Sequence, residues 1–147
     1  MPSQLVKLNC HIKASPEEVF DFFCDHESFG RIWPGRTRRI KESSDPANPN
    51  GVGSIRQICL GPMCFEETQI TCDRPALIEY TVTRGSPIKN HLGRICLTAA
   101  TDGGTDIDYR ISFDPRIPLT GALIANSLTK DWSKGIVPII QELESAG

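Results

Sequence analysis

The chain has 147 residues, 39% hydrophobic and 23% charged, with 16 basic against 18 acidic side chains and a formal net charge of −2. That length suits one domain, residues 1–147, which can bury roughly 70% of its unfolded surface and so needs no staples to build a core. The charge balance excludes the global basic field of a nucleic-acid binder; no apolar run nears the ~20 residues of a membrane span. The opening MPSQLVKLNCHIK lacks the apolar stretch of a signal peptide, so no integral membrane segment and a cytoplasmic location are expected.

From Gln4 to Ile12 the residues Val6, Leu8, Cys10 and Ile12 alternate with Leu5, Lys7 and Asn9, the period of a half-buried strand. A helix then starts sharply. Ser15 is a good N-cap, Pro16 fits the first helical position and Glu18 completes a capping box. Val19, Phe20, Phe22 and Phe23 give this helix an apolar side, Asp25 can cap a second short helix through about Phe29, and Gly30 can end it. Trp33-Pro34-Gly35 breaks the chain, and the basic stretch Arg36 to Ser43 reads as an exposed edge strand.

Asp45 to Asn50 has turn composition and Gly51-Val52-Gly53 continues it. This Gly-x-Gly is not a nucleotide loop, because no third glycine and no helix follow it; a hairpin is expected. The strands Ser54–Leu60, Cys64–Cys72, Leu77–Arg84, Asn90–Ala100 and Thr105–Phe113 then form a meander. Gly61-Pro62, Asp73-Arg74-Pro75, Gly85-Ser86-Pro87 and Asp102-Gly103-Gly104 join them by turns short enough to force antiparallel neighbours. In the last strand Ile107, Tyr109, Ile111 and Phe113 face one way, and Asp106, Asp108, Arg110 and Ser112 the other.

From Leu119 to about Leu143 the apolar residues shift to helical spacing: Leu119, Leu123, Leu128, Trp132, Ile136, Ile139 and Leu143 form one stripe. Such a helix is roughly 35 Å long and needs a broad partner. Pro138, shortly after Gly135, is expected to kink it or divide it in two. The six cysteines, Cys10, Cys24, Cys59, Cys64, Cys72 and Cys96, show no CxxC or zinc spacing and read as reduced core thiols, disulfides being disfavoured without an export signal. The sum is an α+β fold: a curved antiparallel seven-stranded sheet wrapped around a long C-terminal helix, with two short helices after the first strand.

The order of elements resembles the START-like superfamily, also called SRPBCC or the helix-grip fold, in its polyketide cyclase/dehydrase and lipid-transport branch. The phrases that carry the resemblance are Ala14-Ser15-Pro16-Glu17-Glu18-Val19-Phe20, Trp33-Pro34-Gly35, Gly53-Ser54-Ile55-Arg56, Ile78-Glu79-Tyr80, His91-Leu92-Gly93-Arg94-Ile95 and Gly104-Thr105-Asp106-Ile107-Asp108-Tyr109. The resemblance implies a cavity between sheet and long helix that holds an apolar small molecule such as a lipid, a sterol or a polyketide. It does not imply one activity.

By strand parity the cavity is expected to be lined by Ile78, Tyr80, Val82, His91, Ile95, Leu97, Tyr109 and Ile111, with Leu128 and Trp132 from the helix. His91 is the candidate catalytic residue, as a general base near neutral pH. Glu66 and Glu67 are adjacent in a strand and point to opposite faces, so they cannot form an acid/base pair, and parity does not say which is inside. His11, His26 and His91 have no metal-ligand spacing, no nucleophile elbow is present, and no cofactor motif stands out, so neither metal nor cofactor is expected. Three readings follow. The first is binding or carriage of a hydrophobic small molecule; the second is a cyclase/aromatase-like enzyme using His91 and a tyrosine. The third is a protein-interaction or co-chaperone module contacting partners through the basic Arg31–Lys41 region. The strand edge at Arg36–Ser43 also offers a route to a homodimer.

Overall fold

The computed structural model describes residues 2–146. Strand β1 (Gln4–Ile12) leads into helices α1 (Pro16–Cys24) and α2 (His26–Gly30). Strands β2 (Arg36–Lys41), β3 (Ile55–Leu60), β4 (Met63–Asp73), β5 (Leu77–Arg84), β6 (Ile88–Ala99) and β7 (Thr105–Pro115) follow, and helix α3 (Gly121–Ala146) closes the chain. All seven strands form one antiparallel sheet in the order β1-β7-β6-β5-β4-β3-β2. The basic stretch β2 is an edge strand, as its exposed side chains require.

Local chemistry sets the start of each short helix. Ser15 Oγ accepts the Glu18 N–H at 3.2 Å with Pro16 behind it, and the Asp25 side chain accepts the Glu27 N–H. The two helices carry the chain from one sheet edge to the other, so α1 and α2 close an end of the sheet. Phe20, Phe23 and Phe29 enter the core beside Ile95, Ile107, Tyr109 and Phe113 from the sheet and Trp132, Ile136 and Ile139 from α3. Each such side chain contributes about 1.5–3 kcal/mol when fully buried.

Helix α3 differs from its expected form in three respects. It begins at Gly121, because Leu119 adopts a left-handed φ of 71° and lies wholly in solvent. Leu123 is also exposed, so the apolar stripe runs through Ile124 and Leu128 to Trp132, Ile136 and Ile139. Pro138 stands on the exposed side of one uninterrupted helix and does not divide it. Gly135 has a specific cause. A Cβ there would lie 1.7 Å from the Ile32 carbonyl oxygen, so the helix backbone rests directly on the segment after α2.

The cysteines need one correction: Cys59 and Cys64 form a disulfide. The Gly61-Pro62 turn pairs Leu60 with Met63 and therefore Cys59 with Cys64, whose Cα atoms are 4.1 Å apart. Register overrides the expectation from the redox compartment. Cys10, Cys24, Cys72 and Cys96 are free thiols.

Candidate ligand cavity

Sheet and helix part at one end, where a cavity of about 280 Å³ opens. The β3–β4 hairpin supplies Ile58, Leu60, Met63, Phe65 and Glu67; α3 supplies Ile124, Ser127, Leu128 and Asp131 as a roof. Phe29, Trp33 and Pro34 come from the end of α2 and the segment after it. Tyr80, His91 and Ile111 form the inner wall, and the β5–β6 turn adds Ser86, Pro87 and Ile88 at the rim. The lining is mostly apolar with a few polar groups, the usual character of a small-molecule site.

Four of the ten residues expected here, Tyr80, His91, Ile111 and Leu128, line the cavity. Ile78, Ile95, Leu97, Tyr109 and Trp132 are instead packed in the core, and Val82 is partly buried against it. The five core residues sit where large side chains meet. Trp132 is within 5.2 Å of the Tyr109 ring and 6.3 Å of Phe23, centroid to centroid.

His91 lies on the inner side of β6 with Gly93 and Ile95. Asn90 adopts a φ of 53° and the pairing with β7 slips between Lys89 and Leu92, which brings Ile88 and His91, three positions apart, to the same side. Its Nδ1 accepts the Val82 N–H at 3.1 Å. The neutral ring therefore carries its proton on Nε2, and burial holds its pKa below the ordinary histidine value. Its lone pair is already used. That geometry makes His91 a hydrogen-bond donor and does not fit the general base expected of it.

Glu67, not Glu66, is the carboxylate facing inward. It shares a face of β4 with Phe65 and Gln69, while the extra residue of the neighbouring bulge, Thr83, lies on β5. Glu67 Oε1 accepts from Arg56 Nε at 2.8 Å, and both residues are buried. The Arg56 guanidinium lies between two rings, 4.3 Å from the centroid of Phe29 and 4.4 Å from that of Tyr80. Its Nη1 donates to His26 Nδ1 at 3.3 Å; His26 Nε2 then donates to Ser54 Oγ at 2.7 Å, and Ser54 donates to the Gly51 carbonyl at 2.6 Å. Every donor in this chain points the same way, which requires a neutral His26. Burial, reinforced by Arg56 and Arg39, pushes its pKa down to about 3.

Arg56, His26 and Ser54 were not among the expected site residues. The signal was present for one of them, since Arg56 shares strand parity with Ile58. The Tyr80 and Tyr109 hydroxyls also hydrogen-bond to each other, and burial raises both phenols above their ordinary range, so both stay neutral. Tyr80 fits only because of Gly93, where a Cβ would lie 2.2 Å from the Tyr80 ring.

The family described as polyketide cyclase / dehydrase and lipid transport matches residues 4–143. The chain belongs to this family. No curated protein matches the sequence. Among solved structures, a START superfamily protein from Mycobacterium smegmatis superposes with a TM-score of 0.76 at 13% identity, covering 95% of this chain and 98% of that one. A norcoclaurine synthase point mutant from Thalictrum flavum, solved with a transition-state analogue, gives 0.70 at 13% identity, covering 95% and 94%. Ara h 8.0201 gives 0.69 at 15% identity, covering 98% and 99%. At these identities the superpositions establish the START-like, helix-grip fold. Among the described residues of this polyketide cyclase/dehydrase family member, no helix is long and apolar enough to cross a membrane. Nor does any group of three or more His, Cys, Asp or Glu there stand ready to hold a metal.

Proposed function

We propose that this START-like protein binds and carries a hydrophobic small molecule of one or two rings in the cavity under α3, without transforming it. The supporting observation is the cavity itself: about 280 Å³, walled by aliphatic and aromatic side chains, with its single histidine committed as a donor. That volume is near the lower end of the ~300–1,000 Å³ typical of ligand pockets and equals the share of roughly nine water molecules. It suits a compact ring system better than a two-chain lipid. Tyr80 and His91 are the residues proposed to orient the ligand, and Ile111 and Leu128 to enclose its apolar body.

Native purification followed by organic extraction and mass spectrometry tests this reading. A stoichiometric apolar compound of one or two rings is the expected result. An empty extract, together with no binding of small aromatic probes by calorimetry, would sink it. The partner-surface reading gains less support, because most of the basic edge is answered within the chain. Arg31 pairs with Glu142, Arg38 donates to Gln57, and Arg39 contacts Asn50 and Glu42.

A further inference from the structure

The ionisable groups on the cavity wall are one-sided. They are Glu67, Asp131, His91 and the neutral phenol of Tyr80, and no lysine or arginine is among the described lining residues. The cation paired with Glu67 is out of reach: Arg56 is 1% exposed and covered by the faces of Phe29 and Tyr80. Glu67 is itself only 7% exposed. Arg56 occupies its Oε1, while Oε2 has no hydrogen-bond partner among the described residues. Opposite the sheet, Asp131 hangs half-buried from the roof and forms no ion pair among the described residues. A ligand head entering here meets two carboxylates and one imidazole N–H.

We propose that the cavity selects apolar molecules bearing an amine head and rejects those ending in a carboxylate, fatty acids among them. This rests on the ligand-binding reading above and narrows it to a substrate class. An ammonium at Glu67 Oε2 or at Asp131 gains a charge-assisted hydrogen bond in a mostly apolar site. A carboxylate there is repelled by the unpaired Asp131, and the only nearby cation among the described residues, Arg56, is already paired with Glu67 and covered by rings. The imidazole N–H of His91 remains available to an oxygen on the ligand body.

The test uses three congeners on one apolar body: 1-naphthylmethylamine, 1-naphthylmethanol and 1-naphthoate, titrated calorimetrically at neutral pH into the full chain and its Asp131→Asn and Glu67→Gln variants. The amine is expected to bind at least about tenfold more tightly than the acid, with the alcohol between them. Asp131→Asn is expected to narrow that ratio several-fold. Asp131 is half-exposed and unpaired, so this variant decides the matter even if Glu67→Gln, which breaks a buried ion pair, fails to fold. Equal or tighter binding of the acid overturns the selectivity and leaves the ligand-binding reading standing. Failure of all three congeners to bind removes both. An amine preference unchanged in Asp131→Asn overturns the assignment to these carboxylates.

Discussion

The two ends of the sheet–helix interface are made from the same elements and behave differently. At one end Trp132 of α3 is clasped by Phe23, Trp33 and Tyr109, and nothing remains to fill. One helical turn earlier Leu128 is only half-buried and roofs a void. The difference lies in what the helix offers: Trp132 reaches the rings of Phe23, Trp33 and Tyr109, while Ile124 and Leu128 stop short of the opposite wall, where Ile58, Met63, Phe65 and Tyr80 face the void. A helix-grip fold can thus pack one half to the density of a crystal and leave the other as a container.

The sharpest contrast comes from truncating the helix on either side of that boundary. Trp132→Ala is expected to cost about 3–5 kcal/mol in urea unfolding, the range for deleting a buried tryptophan. Arg56→Met should cost as much, about 3–5 kcal/mol, because it strands the Glu67 carboxylate in the core; the double variant Arg56→Met/Glu67→Leu should recover most of the loss. A double variant no more stable than the single one would contradict the ion-pair account.

Acid should weaken the fold through His26, whose partner Arg56 braces Glu67, Phe29 and Tyr80 of the cavity wall. Its folded-state pKa of about 3 lies below that of the unfolded chain. Between those values the unfolded state binds the extra proton, so stability falls as pH drops below ~6.5, at up to about 1.4 kcal/mol per unit, and levels off near 3. Denaturant midpoints across that range, compared with those of His26→Gln, measure the slope. Leu128→Ala sits lower on the scale, at under about 1 kcal/mol, because it enlarges an existing void; it should reduce affinity for naphthyl probes instead.

The smallest effect is expected at His11 on the outer face. Hydrogen bonds to Asp106 and Asp102, each 2.8 Å away, raise its pKa above the ordinary value. The stabilisation it provides is complete below the unfolded-state pKa and fades as pH rises through the folded one. An NMR titration of the ring in the native protein and in Asp106→Asn checks the shift.

Most of the architecture was readable because its signals are local. The turns Gly61-Pro62 and Asp102-Gly103-Gly104, the alternation of Ile107 to Phe113 and the Ser15 cap each act within a few residues. The cavity was less readable, because alternation says which side of a strand a residue takes but not how far along it the helix lifts away. Tyr80 and Ile78 share a side of β5, yet only Tyr80 meets the void. A bulge also breaks the alternation of β6 at Ile88, which lines the cavity together with His91 three positions later. The Cys59–Cys64 bond required a register, which the two-residue turn supplied once that hairpin was placed.

The contact of Gly135 with the Ile32 carbonyl makes α3 a lever with a fixed fulcrum. Ile124 lies 11 positions from that point, or about 16 Å along the axis. A tilt of about 10° there raises the roof by roughly 3 Å, enough to change which ring systems pass beneath it, while moving the level of Trp132 by less than about 1 Å. Gly121, buried against Gln4 at the far end of the helix, and Ile139 beyond the fulcrum are the contacts that hold the roof at its present height.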